Sequence, residues 1–305
     1  MPIRKTNVLL YGKPGTGKSA AIASLLTSKQ LEQTPNLKVR FLMAETNCLY
    51  GLEYGIEQLY KLKLNPGQLS YCLVKHKATP RSNMRTIADN FKDNFQSLSA
   101  SDAMKVKVDA GDRSVHEEYY KILLATAKFK GIDWVTKEPV IEGDVLNFDS
   151  DTIFVVDSLT TIVNCLVKVV AGARQIAGMD EYKDVQRLLK QNILLPFTEV
   201  MSEASLIILG HDHLGKDPDV IQPSQREVLK GEADFIMKTF PDVHGQAMNT
   251  IGKYFTETIY TWRDRRGKYL WAGKKEGVET SVRKLPQKEE LEPNFSLYPI
   301  FTEIR

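Results

Sequence analysis

Residues 7–19 read Asn-Val-Leu-Leu-Tyr-Gly-Lys-Pro-Gly-Thr-Gly-Lys-Ser, an apolar run that enters a glycine-spaced loop ending in Lys18-Ser19. The first five residues predict a short buried strand, and residues 19–28 (SAAIASLLTS) have the small and apolar side chains of a helix. Between them Gly12, Lys13, Pro14, Gly15, Thr16, Gly17, Lys18 and Ser19 match G-x-x-x-x-G-K-[ST] with both flanks in place. Glycines let a backbone wrap a phosphate closely and turn successive N–H groups inward, and the start of the helix, with Ala20 in its first turn, adds its dipole. The pattern predicts a nucleoside triphosphate site for ATP, in which Lys18 reaches the β- and γ-phosphates and Ser19 holds Mg²⁺. A glycine-rich turn without a ligand is the plainer reading, and the strand before and helix after disfavour it.

A site that handles metal and water needs a carboxylate as well. Residues 152–156, Thr-Ile-Phe-Val-Val, form a continuous β-branched and aromatic run of the kind found in a fully buried parallel strand, and they end in Asp157-Ser158. A strand-end aspartate beside a phosphate loop is placed to share the Mg²⁺ with Ser19, the alternative being a cap on the next helix. Two further buried strands are expected at 39–44, ending in Glu45, and at 205–210, ending in His211-Asp212-His213. Glu45 stands where a water-positioning carboxylate is needed, or is an ordinary strand-end acid facing solvent. His211 either senses the γ-phosphate or is a satisfied histidine at a loop start. A metal site at His211-x-His213 lacks a third ligand nearby in sequence.

Strands alternating with helices, at 116–130 with Gly131 as its C-cap and at about 180–203 with Pro196 as a kink or break, argue an α/β fold around a mostly parallel sheet. From residue 255 the grammar changes to short strands joined by Arg-Arg-Gly and Lys-Lys-Glu-Gly turns, which read as an antiparallel, peripheral hairpin tail over about 253–300. The stretch at about 80–112 is polar and weakly periodic and reads as a surface excursion. No internal repeat is found, and the 305 residues read as one domain.

Composition bounds the remainder. With 42% apolar and 26% charged residues the chain buries a sizeable core, and 41 basic against 38 acidic residues leave +3, too little to identify a nucleic-acid binder in bulk. Locally the balance differs: nine bases against four acids lie between 251 and 284, and seven against two in the first fifty residues. The late surplus serves a neighbouring subunit's nucleotide, a nucleic-acid backbone or solubility. Three scattered cysteines, Cys48, Cys72 and Cys165, fit a reducing cytoplasm with no disulfide or zinc framework. No apolar run approaches a membrane span, so no membrane partner is expected.

Taken together, YGKPGTGKS at 11–19, the strand end Ala44-Glu45-Thr46, VVDSLTTI at 155–162 and IILGHDH at 207–213 resemble the ordered motifs of RecA-like P-loop ATPases, and more narrowly phage-encoded members that serve annealing or recombination. FKGID and EGDVLNF at 129–148, GKYFTETIYTW at 252–262 and RGKYLWAG at 266–273 add to the resemblance. It implies that Glu45 activates water and that His211 couples the γ-phosphate to a mobile loop. It also implies single-stranded DNA as a partner, bound at about 171–180 through Arg174 and Gln175 and at about 214–250 through Lys216, Lys230 and Lys238. A homo-oligomer is implied too, in which Lys274, Lys275 or Arg283 enters the neighbouring subunit's ATP site. Only six residues precede the first strand, so the resemblance is to the ATPase core. An ATP-switched assembly or loader protein that touches no DNA is the alternative, and a small-molecule kinase ranks behind both.

Overall fold

Asn7–Gly12 forms strand β1, buried along its whole length, and the chain leaves it at the glycine loop to enter a short helix α1, Lys18–Ile22. A tight 3₁₀ turn at Ala23–Leu26 and helix α2, Ser28–Gln33, follow. The computed structural model describes residues 4–45, 47–74, 113–171, 179–201, 203–216, 237–243, 250–275, 278–283 and 296–301. The expected excursion at 80–112 lies outside them.

In chain order the next elements are β2 (Lys38–Met43), α3 (Asn47–Tyr54), β3 (Leu69–Leu73), α4 (Arg113–Ala127), β4 (Phe129–Asp133) and β5 (Pro139–Gly143). These are followed by β6 (Thr152–Asp157), α5 (Leu159–Ala171), α6 (Met179–Leu189), β7 (Ser205–Gly210), β8 (Asp212–Lys216), β9 (Met237–Pro241), β10 (Glu257–Arg263) and β11 (Tyr269–Ala272). Among the described residues the large sheet has the order β11-β10-β1-β7-β6-β2-β3-β4-β5. Pairing is parallel from β10 through to β3 and antiparallel at both margins, while β8 and β9 form a separate antiparallel pair. The chain is therefore an α/β protein with a mostly parallel central sheet.

The central strands are apolar without alternation because both faces are covered. On one face Val8, Leu10, Val39, Phe41, Ile153, Val155, Ile207 and Leu209 pack with Ile22, Leu25 and Leu52 from the helices beside the glycine loop. On the other face Leu9, Leu42, Phe154, Val156, Leu206 and Ile208 pack with Ile122 of α4, Ile162 and Leu166 of α5, and Val185 and Leu189 of α6. Among the described residues no helix is long and apolar enough to cross a membrane.

Two sequence expectations are corrected and a third, a kink or a break at Pro196, is narrowed. β10 is not peripheral: it lies parallel to β1, with Gly12 opposite Thr261, and only its partner β11 completes the expected antiparallel hairpin. Gly131 lies inside β4 rather than capping a helix, because residues 129–133 alternate buried and exposed with the period of a strand. Pro196 does not break its helix. α6 continues to Val200 through wider π turns at Lys190–Leu194 and Pro196–Val200, a geometry that accommodates the lost N–H.

Register decides what this scaffold presents. Leu10 of β1, Leu209 of β7, Asp157 of β6 and Met43 of β2 occupy one row across the sheet. Because these strands are parallel, the residues just beyond that row emerge together at one edge. They are the glycine loop after β1, His211 after β7, Ser158 after β6 and Glu45 after β2.

Candidate functional site

The loop is shaped by what stands next to it. Gly12 has φ 154°, and a Cβ there would lie 2.1 Å from the Thr261 carbonyl oxygen of β10, so only glycine lets the chain turn out of the sheet at that point. Gly17 caps α1 in the left-handed region at φ 84°, against the ring of Tyr269. Thr16 is buried; its hydroxyl donates to the Lys13 carbonyl at 2.8 Å and lies 2.7 Å from the Thr261 hydroxyl, which ties the loop to β10. Lys13, Pro14 and Gly15 are exposed, whereas Ala20 is buried under the loop.

Lys18 is largely buried and donates from Nζ to the carbonyls of Gly12 and Lys13, at 2.7 and 2.8 Å. Burial pulls its pKa below the usual lysine value, and the nearby carboxylates Asp157, Asp212 and Glu45 act in the opposite direction. Ser19 donates from Oγ to Oδ2 of Asp157 at 2.7 Å. The two residues singled out in the sequence as metal-holding are thus in direct contact although they are 138 positions apart.

Asp157 is 3% exposed, and burial raises its carboxyl pKa above the usual value; the Ser19 hydroxyl opposes that rise. Its peptide bond to Ser158 is cis. The Cys48 thiol comes from the first turn of α3 and lies beside the same carboxylate; burial pushes its pKa far up, so it is a neutral S–H. Glu45, Cys48 and Asp157 have ligand atoms within 4.8 Å of one another.

Glu45 is more firmly held than a solvent-facing acid. Its Oε1 accepts from Ser158 Oγ and Thr161 Oγ1, both at 2.5 Å, and lies 3.3 Å from His211 Nε2. The hydrogen bond from His211, against the opposing effect of burial, and then those from Ser158 and Thr161, hold its pKa down to about 2. His211 is anchored in turn by its backbone N–H, which donates to Thr160 Oγ1 at 3.0 Å. A cavity of about 390 Å³ beside Glu45 is lined by Asn47, Glu118, Thr161, Asn164 and Lys168.

The other candidates fall elsewhere. Lys275 lies over the Trp262 ring of β10, 3.5 Å from its centroid, and β1 and β7 stand between that strand and the one that carries Asp157. Lys274 and Arg283 are exposed, and the Arg283 backbone N–H donates to the buried Glu257 carboxylate at 3.0 Å. Lys238 pairs with Glu279 at 2.6 Å and borders the Phe240 ring. Lys216 ends β8, while Arg174, Gln175 and Lys230 lie outside the described residues.

Sequence reading missed Cys48, Ser158 and Thr161 as members of the cluster. The run Asp157-Ser158-Leu159-Thr160-Thr161 carried a signal in its density of hydroxyls at a strand-to-helix turn. Cys48 carried none, since its place depends on how α3 packs.

The donor set suits a hard divalent cation. Ser19 and Asp157 offer adjacent oxygens, a hydroxyl and a buried carboxyl, with the Lys18 ammonium nearby. A Cβ on the exposed Gly15 would meet no atom within 4 Å, so the loop is open on the side where a phosphate would sit. No protein-family model matches this chain, and no curated protein matches it.

Proposed function

We propose that this chain is a Mg²⁺-dependent ATPase of RecA-like type that works as a homo-oligomer on single-stranded DNA in the bacterial cytoplasm. The contact between Ser19 and Asp157 carries the ATPase reading: a phosphate-loop hydroxyl and a strand-end carboxylate meet at 2.7 Å, with Glu45 one strand further along the same edge. A glycine-rich turn of purely structural use has no reason to bring a buried carboxylate to that hydroxyl.

In this reading the loop backbone holds the phosphates of ATP, and Lys18 exchanges the carbonyls of Gly12 and Lys13 for β- and γ-phosphate oxygens. Ser19 and Asp157 would hold the Mg²⁺, which would supply positive charge to offset that of the phosphates. Glu45 orients a water against the γ-phosphorus. Its Oε1 is anchored by Ser158, Thr161 and His211, so Oε2 takes the water's proton as the new P–O bond forms and the bond to the ADP oxygen breaks. His211 touches Glu45 through its side chain and is fixed to α5 through its backbone, a placement suited to report the state of the γ-phosphate to β8.

The DNA part rests on the resemblance of the ordered motifs. The pairing of Lys238 with Glu279 favours a second reading, an ATP-switched loader that acts on a protein partner without touching DNA. Measuring ATP hydrolysis with and without single-stranded DNA separates the two. Stimulation by DNA supports the first, DNA-indifferent hydrolysis supports the second, and absence of Mg²⁺-dependent hydrolysis removes both.

A further inference from the structure

The end of β10 and the turn that joins it to β11 read Arg263-Asp264-Arg265-Arg266-Gly267-Lys268, four bases against one acid. The acid is turned onto the backbone: Asp264 Oδ1 accepts from the N–H groups of Arg266 and Lys268, at 2.9 and 2.8 Å. The Asp264 N–H donates to the Lys268 carbonyl and the Asp264 carbonyl accepts from the Gly267 N–H, each at 3.0 Å. These bonds close the turn into a fixed shape on which Arg265, Arg266 and Lys268 are exposed. Arg263 faces back along the hairpin, where its Nε donates to the Gly267 carbonyl at 2.8 Å and its guanidinium lies over the Tyr269 ring, 5.2 Å from the centroid. The same ring borders Gly17 of the phosphate loop. Because β10 runs parallel to β1, with Thr261 opposite Gly12, the turn stands at the sheet edge from which that loop emerges.

We infer that this turn is the contact for the phosphodiester backbone of single-stranded DNA, with Arg265, Arg266 and Lys268 as the cations that meet it. The inference rests on the DNA part of the reading above and gives it residues other than those the resemblance implies. An arginine's planar fork takes two oxygens of one phosphate, and a turn held by its own backbone bonds loses little freedom in binding. Three exposed cations side by side suit a polymer that carries a charge at every nucleotide. The phosphates of ATP, by contrast, already have the loop, Lys18 and the metal to meet them in this reading. A strand held on the turn lies on the hairpin whose Thr261 and Tyr269 border the phosphate loop, so the two phosphate contacts share one rigid element.

Fluorescence anisotropy of a labelled oligo-dT tests this, with the full chain titrated in Mg²⁺ and a non-hydrolysable ATP analogue at several NaCl concentrations. Each phosphate contact on a single strand contributes about 0.7 to the slope of log K against log[salt]. Arg265→Ser/Arg266→Ser should therefore flatten the slope by about 1.4 and weaken binding roughly 25-fold at about 0.1 M NaCl. Arg265→Lys/Arg266→Lys keeps the charge and should keep most of the slope. Lys29→Ser/Lys128→Ser removes the same charge from exposed positions elsewhere and should stay within about threefold of wild type. If Arg265→Ser/Arg266→Ser matches Lys29→Ser/Lys128→Ser in slope and affinity, the inference is overturned. A fluorescent ATP analogue titrated without DNA distinguishes the other source of phosphate. Its affinity should not move in Arg265→Ser/Arg266→Ser; a loss there means that the turn serves a neighbouring subunit's nucleotide, which overturns the inference as well. If wild type binds no oligo-dT, the DNA reading falls and takes the turn with it, whereas binding that ignores the turn condemns the turn alone.

Discussion

Replacing Glu45 by glutamine tests the chemistry of the site with little change of shape. In Glu45→Gln the amide carbonyl oxygen would still accept from Ser158 and Thr161, which now donate at 2.5 Å, and still face His211 Nε2 at 3.3 Å, so the strand end and its neighbours should keep their places. What is lost is the group that takes the water's proton. General-base catalysis contributes about 10²–10⁴-fold, or about 3–5 kcal/mol of the barrier, and turnover should fall by that factor. Nucleotide affinity, set by Lys18 and the loop, should move by less than about threefold. Phosphate release at saturating ATP and Mg²⁺, with parallel titration of a fluorescent ATP analogue, measures both. The pH dependence adds a second arm. Because its hydrogen bonds hold the Glu45 carboxyl down to about 2 instead of 4.5, under about 1% of it is protonated at pH 4.5, where an unperturbed glutamate would be about half protonated. Wild-type turnover should therefore show no acid limb from this group between pH 6 and pH 4.5. Turnover of Glu45→Gln within threefold of wild type would refute the assignment of the base to Glu45.

The fold and the metal site yield two more expectations. Gly12→Ala places a methyl 2.1 Å from the Thr261 carbonyl in a register that pairs the two residues, and should cost about 2–5 kcal/mol in urea denaturation; a loss below about 0.5 kcal/mol would mean that β10 does not press on the loop. Asp157→Asn should raise the melting temperature of the metal-free protein by about 2 °C or more while abolishing the further rise that Mg²⁺ and nucleotide give wild type. The sign follows from burial: the folded-state carboxyl pKa is raised, so ionised Asp157 opposes folding at neutral pH, and this cost fades as pH falls through the raised value. A metal-free variant that melts below wild type would contradict it, as would retained stabilisation by metal.

Much of this architecture is legible in the sequence where burial on both faces writes a continuous apolar run. β1, β6 and β7 are of this kind, and because the strands are parallel the residues beyond them emerge together at one edge of the sheet. β10 is harder to read because it hides polar residues: Glu257, Thr258 and Thr261 are buried, yet in sequence they look like a solvent face. Their burial is accommodated by partners from distant segments, Thr16 for Thr261 and the Arg283 backbone for Glu257, which no local pattern announces. Helix ends are similarly opaque. Pro196 is tolerated by widening the helix, and Gly131 serves a strand because the five residues around it alternate in burial. Within the site, motif and strand-end position point to Lys18, Ser19, Asp157, Glu45 and His211. Contacts among them need the register of the sheet, and the place of Cys48 beside Asp157 needs the close packing of two helices. The late basic residues can be counted in the sequence but not placed: Lys275 lies on Trp262 and Lys238 pairs with Glu279, so their charge is already engaged within the chain.

Phosphate release from ATP by the purified wild-type chain and by Lys18→Ala, with Mg²⁺ present or chelated, tests the central claim most directly. Wild type should hydrolyse ATP only when Mg²⁺ is present, faster with single-stranded DNA, and Lys18→Ala should show no hydrolysis above background under either condition. Wild type without hydrolysis, or Lys18→Ala with the wild-type rate, would contradict the account.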